Sequence, residues 1–140
     1  MNEKTTNDLH EELISEANID TYINNNRPFF SDKSVAELLT ELYNKKKVSK
    51  ASLARNAGIS EVYLHQVFAG RRKPSRDRLL CLCIGLGASL EETQRILTQA
   101  SHAQLYPKIK RDAIISHGII HHTELAMIND TLFSENEETL

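Results

Sequence analysis

Between Leu9 and Leu132 the apolar residues of this chain recur three and four positions apart, and apolar/polar alternation is never sustained. That spacing lays side chains along one stripe of a helix, whereas a half-buried strand needs a period of two. Ser and Thr caps and glycine stops fall between the runs. The chain is therefore expected to be all-α. Its 140 residues leave room for one compact domain with extensions, or two very small ones, and exclude a large multi-site enzyme.

The punctuation divides the chain further. A first helical stretch carries Leu9, Leu13, Ile14 and Ala17, then Ile19, Tyr22 and Ile23, and is broken by Asn24-Asn25-Asn26 and Arg27-Pro28. Ser34 with Glu37 spells a capping box ahead of Val35, Leu38, Leu39 and Leu42. Short helices are then expected from Ser49 through Ala57, from Ser60 with Leu64, Val67 and Phe68 inward, and from Pro74-Ser75 with Leu79, Leu82, Cys83 and Leu86 inward, the last closed by Gly85 or Gly87. Ser89 with Glu92 is a second box, opening a helix lined by Leu90, Ile96, Leu97 and Ala100. Beyond a connector at His102 to Pro107, the runs Ile109, Ala113, Ile114 and Leu125, Ile128, Leu132 suggest a helical hairpin, with Gly118 and a histidine-rich stretch between its arms. The organisation expected is an acidic N-terminal helical extension (1–32), a five-helix domain (33–100), a C-terminal helical hairpin (101–133) and a mobile acidic tail (134–140).

The formal net charge of -2 conceals a strong segregation. Residues 1–32 carry net -5, 33–44 net -1, 45–78 net +8 and 79–140 net -4. A block of ten bases in 34 residues of an otherwise acidic chain points to a surface that meets an anion, most often nucleic acid, or to one that pairs with the chain's own acidic flanks. The longest apolar run, Leu79 to Ala88, is about half the length of a membrane span and holds two glycines, and Met1 to Thr6 lacks a basic-then-apolar signal pattern. Cys81 and Cys83 sit two apart in that run, too close to bridge in regular backbone, and read as reduced core thiols. A cytoplasmic protein is expected.

The informative stretch is Leu53-Ala54-Arg55-Asn56-Ala57-Gly58-Ile59-Ser60, followed by Tyr63-Leu64, Val67, Gly70, Pro74-Ser75 and Leu79-Leu80. It describes two short helices joined by a tight turn at Gly58, with Ala54 small enough for a close crossing and Ile59 plugging the corner. At about ten positions in register this resembles the lambda-repressor-like (Cro or XRE) helix-turn-helix family, whose five-helix domain would cover residues 33–100. The resemblance implies that the helix beginning at Ser60 lies in the major groove of double-stranded DNA. Subtracting its inward face leaves Glu61, Val62, His65, Gln66 and Ala69 outward.

As base contacts, Glu61 would accept from a cytosine amino group, Val62 would pack on a thymine methyl, Gln66 would pair bidentately with adenine, and His65 would serve a base or a phosphate. Glu61 has a second reading, as a first-turn acid that complements the helix dipole. Arg71, Arg72 and Lys73 after that helix, Lys50 before it, and Ser60 and Tyr63 on it are the expected phosphate contacts, Tyr63 either through its hydroxyl or by packing only. Lys50 stands where the family commonly carries glutamine, which leaves a cation in place of a glutamine brace. Arg76 and Arg78 extend the basic face, with one of them expected to pair with Asp77.

Other chemistry finds little support. His117 and His121, four apart beside His122 and Glu124, have a helical metal spacing, but Gly118 weakens the helix and no cysteine cluster joins them. The two cysteines diverge by about 200 degrees around a helix and make no redox or zinc motif. No catalytic triad, phosphate-binding glycine loop or isolated carboxylate pair is visible, so neither enzyme nor cofactor is expected. A DNA-binding transcriptional regulator acting as a homodimer is the reading these features favour, since one small reading helix contacts only a few base pairs. The face at Leu125, Ile128 and Leu132 is the expected dimer surface, while that at Leu9, Leu13 and Ile14 packs back or pairs. The alternative is a protein-interaction adaptor or antitoxin on the same scaffold, with a protein partner held through the N- or C-terminal helices.

Overall fold

A computed structural model describes residues 4–30 and 33–140. Helices are the regular structure of the described residues, with no strand among them, and the chain divides into two compact units, residues 1–32 and 33–140.

In the first unit, α1 (Thr6–Ser15) starts at a reciprocal capping box between Thr5 and Asp8, and α2 (Ile19–Asn26) is capped by the Asn18 side chain. A 3-10 turn, Arg27–Phe29, follows, as the proline predicts. The two helices are tied by polar groups more than by apolar ones. Buried Asn26 donates to Glu12 Oε2 at 2.7 Å and to the Tyr22 carbonyl at 3.0 Å, and accepts from Lys4 Nζ at 2.7 Å, while Lys4 also pairs with Glu12. Leu13 and Ile14, expected to pack back or to pair, are exposed, Ile14 by 86%.

The second unit opens with α3 (Val35–Asn44), α4 (Lys50–Ala57), α5 (Glu61–Phe68), α6 (Arg76–Leu86) and α7 (Leu90–Gln99). Each is capped by a serine, Ser34, Ser49, Ser60, Ser75 or Ser89, whose hydroxyl accepts the amide three residues on. Only the box at Ser89 and Glu92 is reciprocal; at Ser34 the carboxylate of Glu37 does not return the bond. Gly58 turns the chain between α4 and α5 at φ 65°, a left-handed conformation that costs glycine little. Gly87, not Gly85, ends α6. Gly85 lies inside it, because a Cβ there would come within 3.1 Å of Leu53 Cδ1 and 3.3 Å of the Ala57 amide, so α4 and α6 cross closely. Leu39, Leu53, Leu64, Leu79, Leu80, Leu82 and Leu97 are fully buried between these helices.

The C-terminal hairpin departs from expectation. Its arms are α8 (Lys110–Ile120) and α9 (Leu125–Ser134), and α8 runs straight through Gly118 instead of stopping before the histidines. Its buried stripe is Asp112, Ile115, Gly118 and Ile119; Ile109 is only the N-cap and half exposed. Ile115, Ile119, Ile128 and Leu132 belong to the same core as α3 to α7, so Ile128 and Leu132, expected on a dimer surface, are spent inside the chain. The acidic tail is not loose either. Arg111 donates to the Glu138 and Thr139 carbonyls, and Asn129 and Leu140 exchange two hydrogen bonds at 3.2 and 2.8 Å.

Candidate nucleic-acid interface

The charged side chains sort themselves by where their counter-ions lie. Arg76, placed by sequence on the basic face, is drawn toward the hairpin: its guanidinium holds buried Asp112 through two bonds of 3.1 and 3.3 Å and also donates to the carbonyls of Ala103 and Gln104. Asp77 pairs with Arg111 at 3.0 and 3.1 Å, and with neither of its neighbours in sequence. Lys46 reaches the Gly87 carbonyl. Of the ten bases between residues 45 and 78, only Arg76 forms a salt bridge among the described residues. Arg71, Arg72, Lys73 and Arg78 are exposed, and none forms a salt bridge among the described residues.

These cations border α5, whose inward side buries Leu64 and Val67. Glu61, Val62, His65 and Ala69 are exposed, Val62 by 69%, while Gln66 is half-buried. Glu61 and His65 stand one helical turn apart with 3.8 Å between Oε1 and Nε2. Gln66 is not a free reader: its Oε1 accepts from Arg72 Nε at 3.0 Å, which fixes the amide and leaves its other end outward. Arg72 thereby links the turn after α5 to the face of α5.

The aromatic residues set the remaining positions. Tyr63 is half-buried, and its ring has the guanidinium carbons of Arg72 and Arg78 at 5.6 and 5.3 Å from its centroid. Lys50 lies half-buried with its ammonium 4.2 Å from the Phe68 centroid and 4.9 Å from that of Tyr43, and those two rings meet edge to face. It is a cation held by rings at the start of α4, next to the face of α5, and not a free surface lysine. Ser60 spends its hydroxyl oxygen accepting the Tyr63 amide at 3.1 Å. The parts of this arrangement that sequence reasoning missed, Tyr43 under Lys50 and Arg72 on Gln66, are contacts between elements and have no signature in spacing.

Residues 34–96 match the family model of a helix-turn-helix domain. This chain carries a helix-turn-helix domain. The matched span runs from the cap of α3 into α7, agrees with the lambda-repressor-like resemblance, and makes α4 and α5 the two helices of the motif. No curated protein and no solved structure gives a significant match to the chain. Around the helix-turn-helix domain, no helix of the described residues is long and apolar enough to cross a membrane, and no group of three or more His, Cys, Asp or Glu among them is placed to hold a metal. Both thiols are buried inside the domain, where desolvation pushes Cys81 up to about 11 and Cys83 up to about 12. Neither is a nucleophile near neutral pH.

Proposed function

We propose that this chain is a sequence-specific regulator of transcription, and not an enzyme, that binds an operator in double-stranded DNA as a dimer through α5 and acts in the cytoplasm. The observation that carries the reading is the coincidence, on a helix-turn-helix domain, of an exposed reading face on α5 with cations that have no acidic partner of their own. In this reading Glu61, Val62, His65 and Gln66 meet base edges. Arg71, Arg72 and Lys73, with Lys50, Ser60 and Tyr63, meet phosphates. Arg72 does both kinds of work, since it also orients Gln66. Dimerisation follows from affinity: one short helix reads too few base pairs, and a second copy supplies the other half-site.

Selection from random duplexes, followed by anisotropy titrations at several salt concentrations, tests this. An inverted repeat should be enriched, with a steep salt slope that falls by about one in Arg71→Ala. Gln66→Ala should cost about 1 to 3 kcal/mol and relax one position of the site, and Arg72→Ala combined with it should be less than additive, because the two residues share a bond. Failure to enrich any sequence would overturn the proposal in favour of a protein-binding adaptor.

A further inference from the structure

Three grooves of 530 to 580 Å³ open on residues 33–140. They differ in charge. The groove between α8 and α9 contains Lys110 and Glu135, which neutralise each other at 2.8 Å. The one beside the motif turn is the most polar of the three and includes both Arg55 and Glu124. The third, about 560 Å³, lies between the start of α3, the α5–α6 turn and the end of α7. Its walls are apolar, from Val35, Ala36, Val67 and Ala100, its rim carries Arg72 and Lys73, and among the described residues no acidic one lines it.

The rim cations are available. Lys73 makes no hydrogen bond or ion pair among the described residues, and Arg72 uses only Nε, on Gln66, leaving its two Nη groups without an acceptor. The far wall is held open by the end of α7, where Ser101 takes a φ of 60° and the His102 amide returns to the Leu97 carbonyl, so that His102 Nε2 lies 3.2 Å from the Pro74 carbonyl. An apolar slot with a one-signed rim selects a ligand with an apolar body and an anionic end. A cavity of about 150 Å³ already holds benzene, so this one has room for a ring, its carboxylate and water.

We propose that this groove binds a small aromatic or aliphatic carboxylate, its body on Ala36 and Ala100 and its carboxylate on Arg72 and Lys73, and that the ligand weakens DNA binding. The second half rests on the DNA-binding reading above. Binding claims the two cations that would meet phosphate, with the carboxylate on the Arg72 Nη groups that Gln66 leaves open.

The test uses the full chain, with phenylacetate as probe, 2-phenylethanol as control for the ring alone and inorganic phosphate as control for the charge alone. In amide-resolved NMR at constant ionic strength, phenylacetate should shift Ala36, Gly70 and Ser101 saturably below about 10 mM. Both controls should bind about tenfold more weakly, as should phenylacetate to Lys73→Gln, which removes one charge-assisted bond from an exposed site. No saturable shift, shifts centred elsewhere, or equal binding of phosphate would overturn the site. Saturating phenylacetate should also lower the affinity for duplex DNA about tenfold in the parent chain and less in Lys73→Gln. Binding in the groove without that loss overturns the antagonism and leaves the site. A chain that binds no DNA at all refutes the DNA reading and the antagonism together, while the NMR result still decides the groove.

Discussion

Arg76→Met asks whether the hairpin is held by a buried ion pair or merely rests on the domain. Methionine keeps the apolar stem and removes the guanidinium, so Asp112, whose side chain is only 5% exposed, keeps its charge and the Tyr106 amide at 3.0 Å as its partner. The four bonds from Arg76 to Asp112, Ala103 and Gln104, at 2.8 to 3.3 Å, disappear. Breaking a fully buried pair from one side costs about 3 to 5 kcal/mol. Arg76 is 23% exposed, and water screens part of its charge, which brings the expected loss to about 2 to 3 kcal/mol. At a urea slope of about 2 kcal/mol per molar, the unfolding midpoint falls by roughly 1 to 1.5 M. Asp112→Asn should be milder alone and nearly neutral in the Arg76→Met background, because the uncompensated charge is then gone; the coupling is about 1.5 kcal/mol or more. A loss below about 1 kcal/mol, or an additive double variant, would refute the reasoning. The same variant separates the two roles open to this arginine. If Arg76 belongs to the hairpin, its replacement leaves the salt slope of DNA binding unchanged.

Two further predictions rest on single positions. Gly118→Ala should gain about 1 kcal/mol of helix propensity and lose more to overpacking, because the new Cβ would collide with Ile128 Cδ1 and sit 2.5 Å from its Cγ1 inside a buried contact. Ile128→Ala, which removes both colliding atoms, should cost less in the Gly118→Ala chain than in the parent, and an unchanged midpoint in the Gly118→Ala single variant would show that α8 and α9 are not so closely packed. At the reciprocal box, the Ser89 amide holds the Glu92 carboxylate below its ordinary value of 4.5. Its stabilisation is therefore complete above that value and is lost as the pH falls through the lower folded one. Glu92→Gln should flatten that part of the acid limb of stability; an unaltered limb would mean the box does not form in solution.

The local features of the chain were legible because their causes are local. A serine hydroxyl reaches an amide three residues on whatever surrounds it, and a glycine at a left-handed turn needs no neighbour to explain it, so all five serine caps, the Gly58 turn and the helical character of the chain followed from spacing. On α5 the exposure of Glu61, Val62, His65 and Ala69 was also accessible, because the periodicity of Leu64 and Val67 determines which residues point away; Gln66, expected outward with them, is half-buried.

Pairing across elements was a different matter. Arg76 and Arg78 are equivalent in composition, yet one is buried against Asp112 and the other stands over Tyr63, because α8 comes to lie beside the start of α6. The stripe of α8 was misplaced by reading Ile109 as its first inward residue, when the helix begins one residue later and turns Asp112 and Ile115 inward. Gly118, which in isolation weakens a helix, is kept there by the Ile128 side chain that needs its space. The sequence by itself determined where the serine-capped helices begin and that a helix-turn-helix lies among them. Only the tertiary structure decided which cations stay free, since a counter-ion 36 residues away, as Asp112 is from Arg76, is invisible until the chain closes on itself.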